Sequence, residues 1–247
     1  MTAPLTDLHT HILPGMDDGA SDLETARKLL CRQRAAGVTR VMLTPHFYPM
    51  QENAGAFLSR RQQAFEALLS IFKPETMSEI RLGAEVRYSP SLAEMDILPL
   101  TLGGSSYLLL ELSDTRYPVH LQTIVSRMLT QGITPILAHI ERCAYFRQEP
   151  DRLTSLIRMG VLAQVSAGTL YDRRDRRFSL ACLENGLAHV VASDTHDLRA
   201  RPPCLPDAMA RLRTRRAQEA AALSIWENRK LPPFPLSAIR KGLFRYR

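Results

Sequence analysis

The chain has 247 residues, 45% of them hydrophobic, and a formal net charge of +7 with a pI near 9.5. That is apolar material for a sizeable core, and α/β barrels reach this length as one domain. No run approaches the roughly 20 apolar residues of a membrane helix, the first residues lack the basic and apolar parts of a secretory signal, and the four cysteines (Cys31, Cys143, Cys182, Cys204) show no CxxC spacing. A cytoplasmic protein without membrane insertion, disulfide scaffold or structural zinc cluster is therefore expected. The positive charge suits an acidic partner, whether nucleic acid, anionic lipid or phosphorylated protein. It gathers in Arg173–Arg177, in Arg199–Arg215 and in the tail from Arg240 to Arg247.

In chain order, a strand is expected at Leu5–His9, then a helix over Asp22–Ala36 that begins at a Ser21/Asp22 cap signal and stops at Gly37. A strand at Val38–Thr44 leads to a helix over Phe57–Phe72, whose apolar residues Phe57, Leu58, Phe65, Leu68, Leu69 and Phe72 share one face. Strands follow at Ile80–Val86 and Tyr107–Leu112. A helix over Val119–Gln131 stops at Gly132 before a strand at Ile133–Ala138. A helix over Asp151–Met159 stops at Gly160 before a strand at Val161–Val165, and Asn185-Gly186 precedes the last strand, Ala188–Ala192. Helix, glycine, short Val/Ile/Leu strand is the rhythm of a parallel sheet buried on both faces. Seven such strands without a linker predict an α/β fold, a distorted seven-stranded β/α barrel spanning 1–247 as a single domain. Residues after about 203 read as a helical C-terminal cap, ending in the Pro-rich Pro232-Pro233-Phe234-Pro235.

Residues able to bind metal fall at the ends of these strands. His9 and His11 lie two apart and so point the same way from a strand. The following loop can return a carboxylate from Asp17 or Asp18. His46 follows the second strand, Glu85 ends the third, Glu111 the fourth and His139 the fifth, while Asp194 and His196 end the seventh. In a parallel barrel every C-terminal strand end opens on one face. Alone, Glu111 reads as the first solvated residue past a strand and His46 as a loop residue. Six strand ends together favour one cluster. His120 and His189, at a helix start and a strand start, read as structural. Imidazole and carboxylate without thiolate suit manganese, zinc or iron(II). About nine ligands exceed the capacity of one ion, so two or three divalent ions are implied, with Glu85 as a bridge. Clustered ions of this kind serve phosphoryl chemistry. Arg142, with Arg199 or Arg201, lies close enough in sequence to hold a phosphate by paired hydrogen bonds.

Five segments carry a resemblance: Asp7-Leu8-His9-Thr10-His11-Ile12-Leu13-Pro14-Gly15-Met16-Asp17-Asp18-Gly19, Thr44-Pro45-His46, Gly83-Ala84-Glu85-Val86, His139-Ile140-Glu141-Arg142 and Ser193-Asp194-Thr195-His196. On these the chain resembles the PHP (polymerase and histidinol phosphatase) superfamily, and within it the bacterial capsule-type, manganese-dependent protein-tyrosine phosphatases. The resemblance implies three metals: one on His9, His11, Glu85 and Asp194, a second on Glu85, Glu111 and His139, a third on Asp18, His46 and His196. It selects Asp18 over Asp17, and Arg142 with Arg201 for the phosphate. It also implies hydrolysis of phosphotyrosine by metal-activated water, with a membrane-associated tyrosine autokinase of capsular or exopolysaccharide synthesis as the partner. Three positions depart from the family pattern: Phe47 for a second histidine, Cys143 for an aromatic and Asp197 for an asparagine.

Other readings compete. No cysteine is followed six residues later by arginine, which excludes the phosphocysteine route. A small-molecule phosphatase such as histidinol-phosphate phosphatase would use the same ligands. Nucleic acid is not expected as a partner, because basic residues are not interleaved with aromatics as a single-strand platform requires. A degenerate barrel acting as an interaction module would have lost ligands. The tail Ile239–Arg247 reads as a helix end with solvated charge more readily than as a membrane contact.

Overall fold

The strand positions of the sequence become nine short parallel strands, most of them buried on both faces, with β4 partly exposed. They are β1 (Leu5–Thr10), β2 (Val38–Leu43), β3 (His46–Phe47), β4 (Glu79–Leu82), β5 (Glu85–Arg87), β6 (Tyr107–Glu111), β7 (Thr134–Leu137), β8 (Leu162–Ser166) and β9 (Val190–Ala192). The computed structural model describes residues 5–71 and 79–231. Phe72, the Pro-rich segment 232–235 and the basic tail 239–247 lie outside the described residues.

The strands form two parallel sheets, ordered β1-β2-β4 and β3-β5-β6-β7-β8-β9. The free edge of β1 meets the end of β9 through a single bridge, Thr10 to Thr195. There His11 N–H donates to Thr195 O at 2.8 Å and Asp194 N–H donates to His9 O at 3.0 Å. The whole is a curled parallel α/β sheet of nine short strands, where the sequence reading has seven longer ones. Two interruptions account for the difference. The strand expected over 38–44 ends at Leu43, because Pro45 has no N–H to give the ladder. It resumes as the two-residue β3, paired with β5 (His46 opposite Glu85). The strand expected over 80–86 breaks at Gly83-Ala84. The buried Arg61 reaches in and donates to Gly83 O at 2.7 Å and Pro99 O at 3.0 Å, taking a carbonyl the ladder would use.

The helices between and after the strands are α1 (Leu23–Ala35), α2 (Ala54–Ser70), α3 (Leu121–Thr130), α4 (Ala144–Gln148), α5 (Pro150–Arg158), α6 (Arg176–Glu184), α7 (Leu205–Ala210) and α8 (Arg215–Trp226). The caps follow the sequence. Asp22 accepts from Thr25 N–H at 2.8 Å and Asn53 from Ala56 N–H at 2.8 Å, each satisfying a first-turn donor. Gly37 then leaves α1 at φ +95°, a conformation that favours glycine. On α3, Leu121, Ile124, Val125 and Met128 form one buried stripe, and each such side chain contributes about 1.5–3 kcal/mol.

The C-terminal helices do more than cover a surface. Ala222, Ile225 and Trp226 of α8 join Leu8, Met42, Leu109, Ile136 and Val190 in a cluster inside the curled sheet. Tyr107 hydroxyl donates to Arg229 O at 2.8 Å and Ser106 N–H to Asn228 Oδ1 at 2.9 Å, so this end sits at the strand starts, opposite the face where the sequence reading places the metal-binding side chains. Among the described residues no helix is long and apolar enough to cross a membrane.

Candidate metal centre

The C-terminal strand ends, with the strand restarts at His46 and Glu85, bring the sequence-predicted side chains together. His9 and His11, both fully buried, end β1 with their Nε2 atoms 3.0 Å apart. Glu85 Oε2 at the start of β5 lies 3.2 Å from one and 3.1 Å from the other, and Asp194 Oδ1 lies 3.4 and 3.6 Å away. Glu85 Oε1 meets His139 Nε2 at 2.7 Å, with Glu111 Oε1 4.0 Å from that same nitrogen. His46 Nδ1 is 3.1 Å from Glu85 Oε2 and 3.9 Å from Glu111 Oε2, and its Nε2 is 3.6 Å from Asp18 Oδ1. His196 Nε2 is 3.4 Å from Asp18 Oδ1, and its ring stacks on His11 with centroids 3.8 Å apart.

Three sets could each hold an ion: His11, Asp18, His46 and His196; His9, His11 and Glu85; and His46, Glu85 and Glu111. His139 and Asp194 fall outside these sets but contact their members. Glu85 belongs to two of the sets, as do His11 and His46. Of the two aspartates, Asp18 faces His46 and His196. Asp17 stands behind His11, its Oδ2 accepting from His11 Nδ1 at 2.7 Å and from His46 N–H at 2.9 Å.

The hydrogen-bond partners test whether a cation fits. His11 Nδ1–H donates to Asp17, and His9 Nδ1–H donates to Gln164 Oε1 at 3.1 Å. In the neutral tautomers this leaves a lone pair on each Nε2, and the two lone pairs face each other at 3.0 Å. Only a positive charge between them, a proton or a metal ion, reconciles that contact. Nearby, the buried atoms Glu111 Oε2, His46 Nδ1 and His196 Nε2 have no hydrogen-bond partner. A divalent cation suits this donor set, and backing of the far ring nitrogens by carboxylate or amide is the usual support of histidine ligands.

The field in the centre points the same way. Burial by itself would push His11 down, yet the hydrogen bonds to Asp17 and Glu85 lift it to about 10. Burial by itself would lift Glu85, but the His9 and His139 imidazoles hold it well below the carboxylate range. His196, desolvated and beside His11, is lowered to about 4. Without metal the excess of carboxylates thus holds a proton on His11, where an ion would supply the charge.

The backbone is specialised to carry these groups. His139 and Asp194 adopt φ of +30° and +56°, rare for residues with a Cβ and kept where the surroundings over-determine them. A Cβ on Gly19 would lie 1.9 Å from His11 O, so only glycine lets the Asp17-Asp18 loop fold back onto β1.

Both predicted arginines arrive on carboxylates of the centre. Arg142 pairs with Asp194, and Arg201 Nη2 lies 2.5 Å from Asp18 Oδ2. Arg199 is exposed and contributes only its backbone N–H to Asp197. His120 caps α3 in a left-handed conformation, and His189 starts the β9 region, bonded to Ala163. Two of the three departures from the family pattern, Phe47 and Cys143, are core residues, and Asp197 accepts three backbone N–H groups of its own loop.

Sequence reasoning missed four contributors. Gln164 Oε1 accepts from both His9 Nδ1 and His139 N–H (3.0 Å), and a lone amide in an apolar strand was the available signal. The fully buried Asp7, two before His9, accepts from Ser193 N–H at 2.9 Å and Gln33 at 3.1 Å, tying β1 and α1 to the β9 loop. Arg87, two after Glu85, pairs with Glu111 at 2.9 Å. Tyr48, two after His46, stacks on that ring at 5.3 Å, and burial together with the nearby carboxylates pushes its phenol up to about 12. The last two sit at the alternation expected of residues sharing a strand face.

Fold and site together define a parallel α/β protein with a histidine–carboxylate centre at its strand ends. Residues 5–231 match the model of the capsular polysaccharide synthesis family CpsB/CapC, and the chain belongs to that family. It is 32% identical over 224 residues to the tyrosine-protein phosphatase CpsB of Streptococcus pneumoniae, covering 83% of this chain and 88% of that protein. It is 28% identical over 207 residues to the tyrosine-protein phosphatase YwqE of Bacillus subtilis, covering 80% and 79%. One crystal structure, from work on YwqE of Bacillus subtilis and CpsB of Streptococcus pneumoniae as metal-dependent tyrosine phosphatases, matches with a TM-score of 0.82 at 24% identity. That match covers 94% of this chain and 98% of the other, a likeness of fold.

Proposed function

We propose that this chain is a divalent-metal-dependent protein-tyrosine phosphatase. In this reading it works in the cytoplasm as a single domain on a membrane-associated tyrosine autokinase, with manganese as its ion. The observation that carries it is the pair of imidazole nitrogens held 3.0 Å apart beside Glu85 and Asp194, a contact that calls for a cation. Family membership and the phosphatase relatives supply the reaction class.

His9, His11, Asp18, His46, Glu85, Glu111, His139, Asp194 and His196 would hold two or three ions. The chemistry such ions supply is Lewis acidity toward the phosphoryl oxygens and acidification of the attacking water. The protein's own residues do the rest. Gln164 and Asp17 fix the tautomers of His9 and His11, so that Nε2 is the donor atom. Arg142 and Arg201, already at the rim of the centre, would bind the phosphate and offset the charge that builds on its oxygens.

The test strips the protein of metal and follows phosphate release from a phosphotyrosyl peptide with manganese, zinc or magnesium restored singly. Release that returns with an ion and vanishes in His139→Ala is the expected result. Hydrolysis of histidinol phosphate but of no phosphotyrosyl peptide, with any ion, would replace the reading by a small-molecule phosphatase.

A further inference from the structure

A cavity of about 270 Å³ opens beside the metal centre and joins it through Arg142, Asp194 and Arg201. It is smaller than the roughly 300–1,000 Å³ of sites that enclose a whole small molecule, a size suited to one side chain. Glu141 and Ser166 line it and are 2% and 6% exposed. Glu141 Oε1 accepts from Ser166 N–H at 3.2 Å, but Glu141 Oε2 and Ser166 Oγ have no hydrogen-bond partner. Asp172 and Asp175 also line the cavity; Asp175 pairs with Arg147 at 2.7 Å, and Asp172 accepts from Arg174 N–H at 2.9 Å. The two cations at the mouth, Arg142 and Arg201, are engaged by Asp194 and Asp18.

A buried carboxylate oxygen and a buried hydroxyl left without partners are costly unless a donor reaches them. The surrounding carboxylates favour a donor that carries positive charge. We propose that this cavity is a subsite for a basic side chain, lysine or arginine, on the polypeptide that bears the phosphotyrosine. The inference rests on the phosphotyrosine reading above and adds sequence preference to it. Lysine fits best: its ammonium offers three donors on a flexible stem, and the acceptors at hand are single atoms rather than a planar pair. Because cavity and centre are continuous, the basic residue lies within a few positions of the phosphotyrosine, at about 3.3–3.6 Å of extended chain per residue.

The experiment measures kcat/KM of the metal-loaded protein on phosphotyrosyl peptides carrying lysine, arginine, norleucine or alanine at each of the three flanking positions on either side. One position is expected to favour lysine over norleucine roughly tenfold, the scale of one charge-assisted hydrogen bond. That ratio is expected to fall toward one in Glu141→Gln and in Asp172→Asn, the latter an exposed site whose substitution leaves the core intact. A flat profile at every position, or a preference that persists in both variants, overturns the subsite while leaving the phosphatase reading in place. Turnover of histidinol phosphate with no turnover of any peptide overturns both.

Discussion

At the scale of single residues, the centre depends on groups that are not ligand types in any motif. Gln164 accepts the Nδ1–H of His9 and the backbone N–H of His139 with one oxygen. It thereby orients the His9 imidazole and holds the backbone at His139. Gln164→Leu keeps the approximate size but removes the acceptor, so His9 is free to adopt the other tautomer and His139 N–H loses its partner. Metal affinity is expected to fall roughly 10- to 100-fold, as for other groups that back a ligand, while the circular dichroism spectrum stays unchanged. Calorimetric titration of the stripped variant with manganese checks this, and unchanged affinity would remove Gln164 from the account.

Elements meet at positions where a titratable side chain joins two strands. His189 precedes β9 and pairs with β8 in both directions: its N–H donates to Ala163 O at 2.8 Å, and its Nδ1 accepts from Ala163 N–H at 3.2 Å. An accepting Nδ1 requires the neutral ring, and burial lowers its pKa to about 4. Here the folded value lies below the ordinary 6.5, so the unfolded chain takes up the proton first. The contribution is therefore complete above about pH 6.5 and is lost as pH falls toward 4, up to about 3 kcal/mol. His189→Asn retains an acceptor without a proton to gain. Urea melts in excess chelator should show the wild type losing stability over that window relative to the variant, and parallel pH profiles would contradict the assignment.

For the whole molecule, the candidate ligands come from both sheets. His9 and His11 belong to the three-stranded sheet and its loop, whereas His46, Glu85 and Glu111 belong to the six-stranded one. The backbone between β1 and β9 supplies only one bridge. Ions held at this junction would bind the folded state alone and stabilise it by mass action, by about 2.7 kcal/mol at a hundredfold excess over the dissociation constant. In a chain of this size that corresponds to roughly 5–10 °C in Tm. Calorimetry with manganese and then with chelator should show this shift in the wild type and little of it in His11→Ala. An equal shift in the two proteins would place the stabilising ion elsewhere.

The sequence by itself determined which residues could meet. Glycines after helices and short β-branched runs marked the strands, and a parallel sheet obliges their C-terminal ends to share a face, so nine ligand-type side chains could be read off in advance. It determined α1 too, because its caps, Asp22 and Gly37, are local signals. What it did not determine rests on contacts between segments far apart in the chain. The split of the expected strand at Gly83 depends on Arg61, twenty-two residues earlier, reaching its carbonyl. The choice between Asp17 and Asp18 depends on which one the turn at Gly19 directs toward His46 and His196 and which it leaves behind His11. The roles of Gln164 and of the unpartnered Glu141 depend likewise on tertiary neighbours. Local pattern fixes an element and the face a side chain occupies; burial and the partner across the fold, which only tertiary structure decides, fix its proton, its charge and its task.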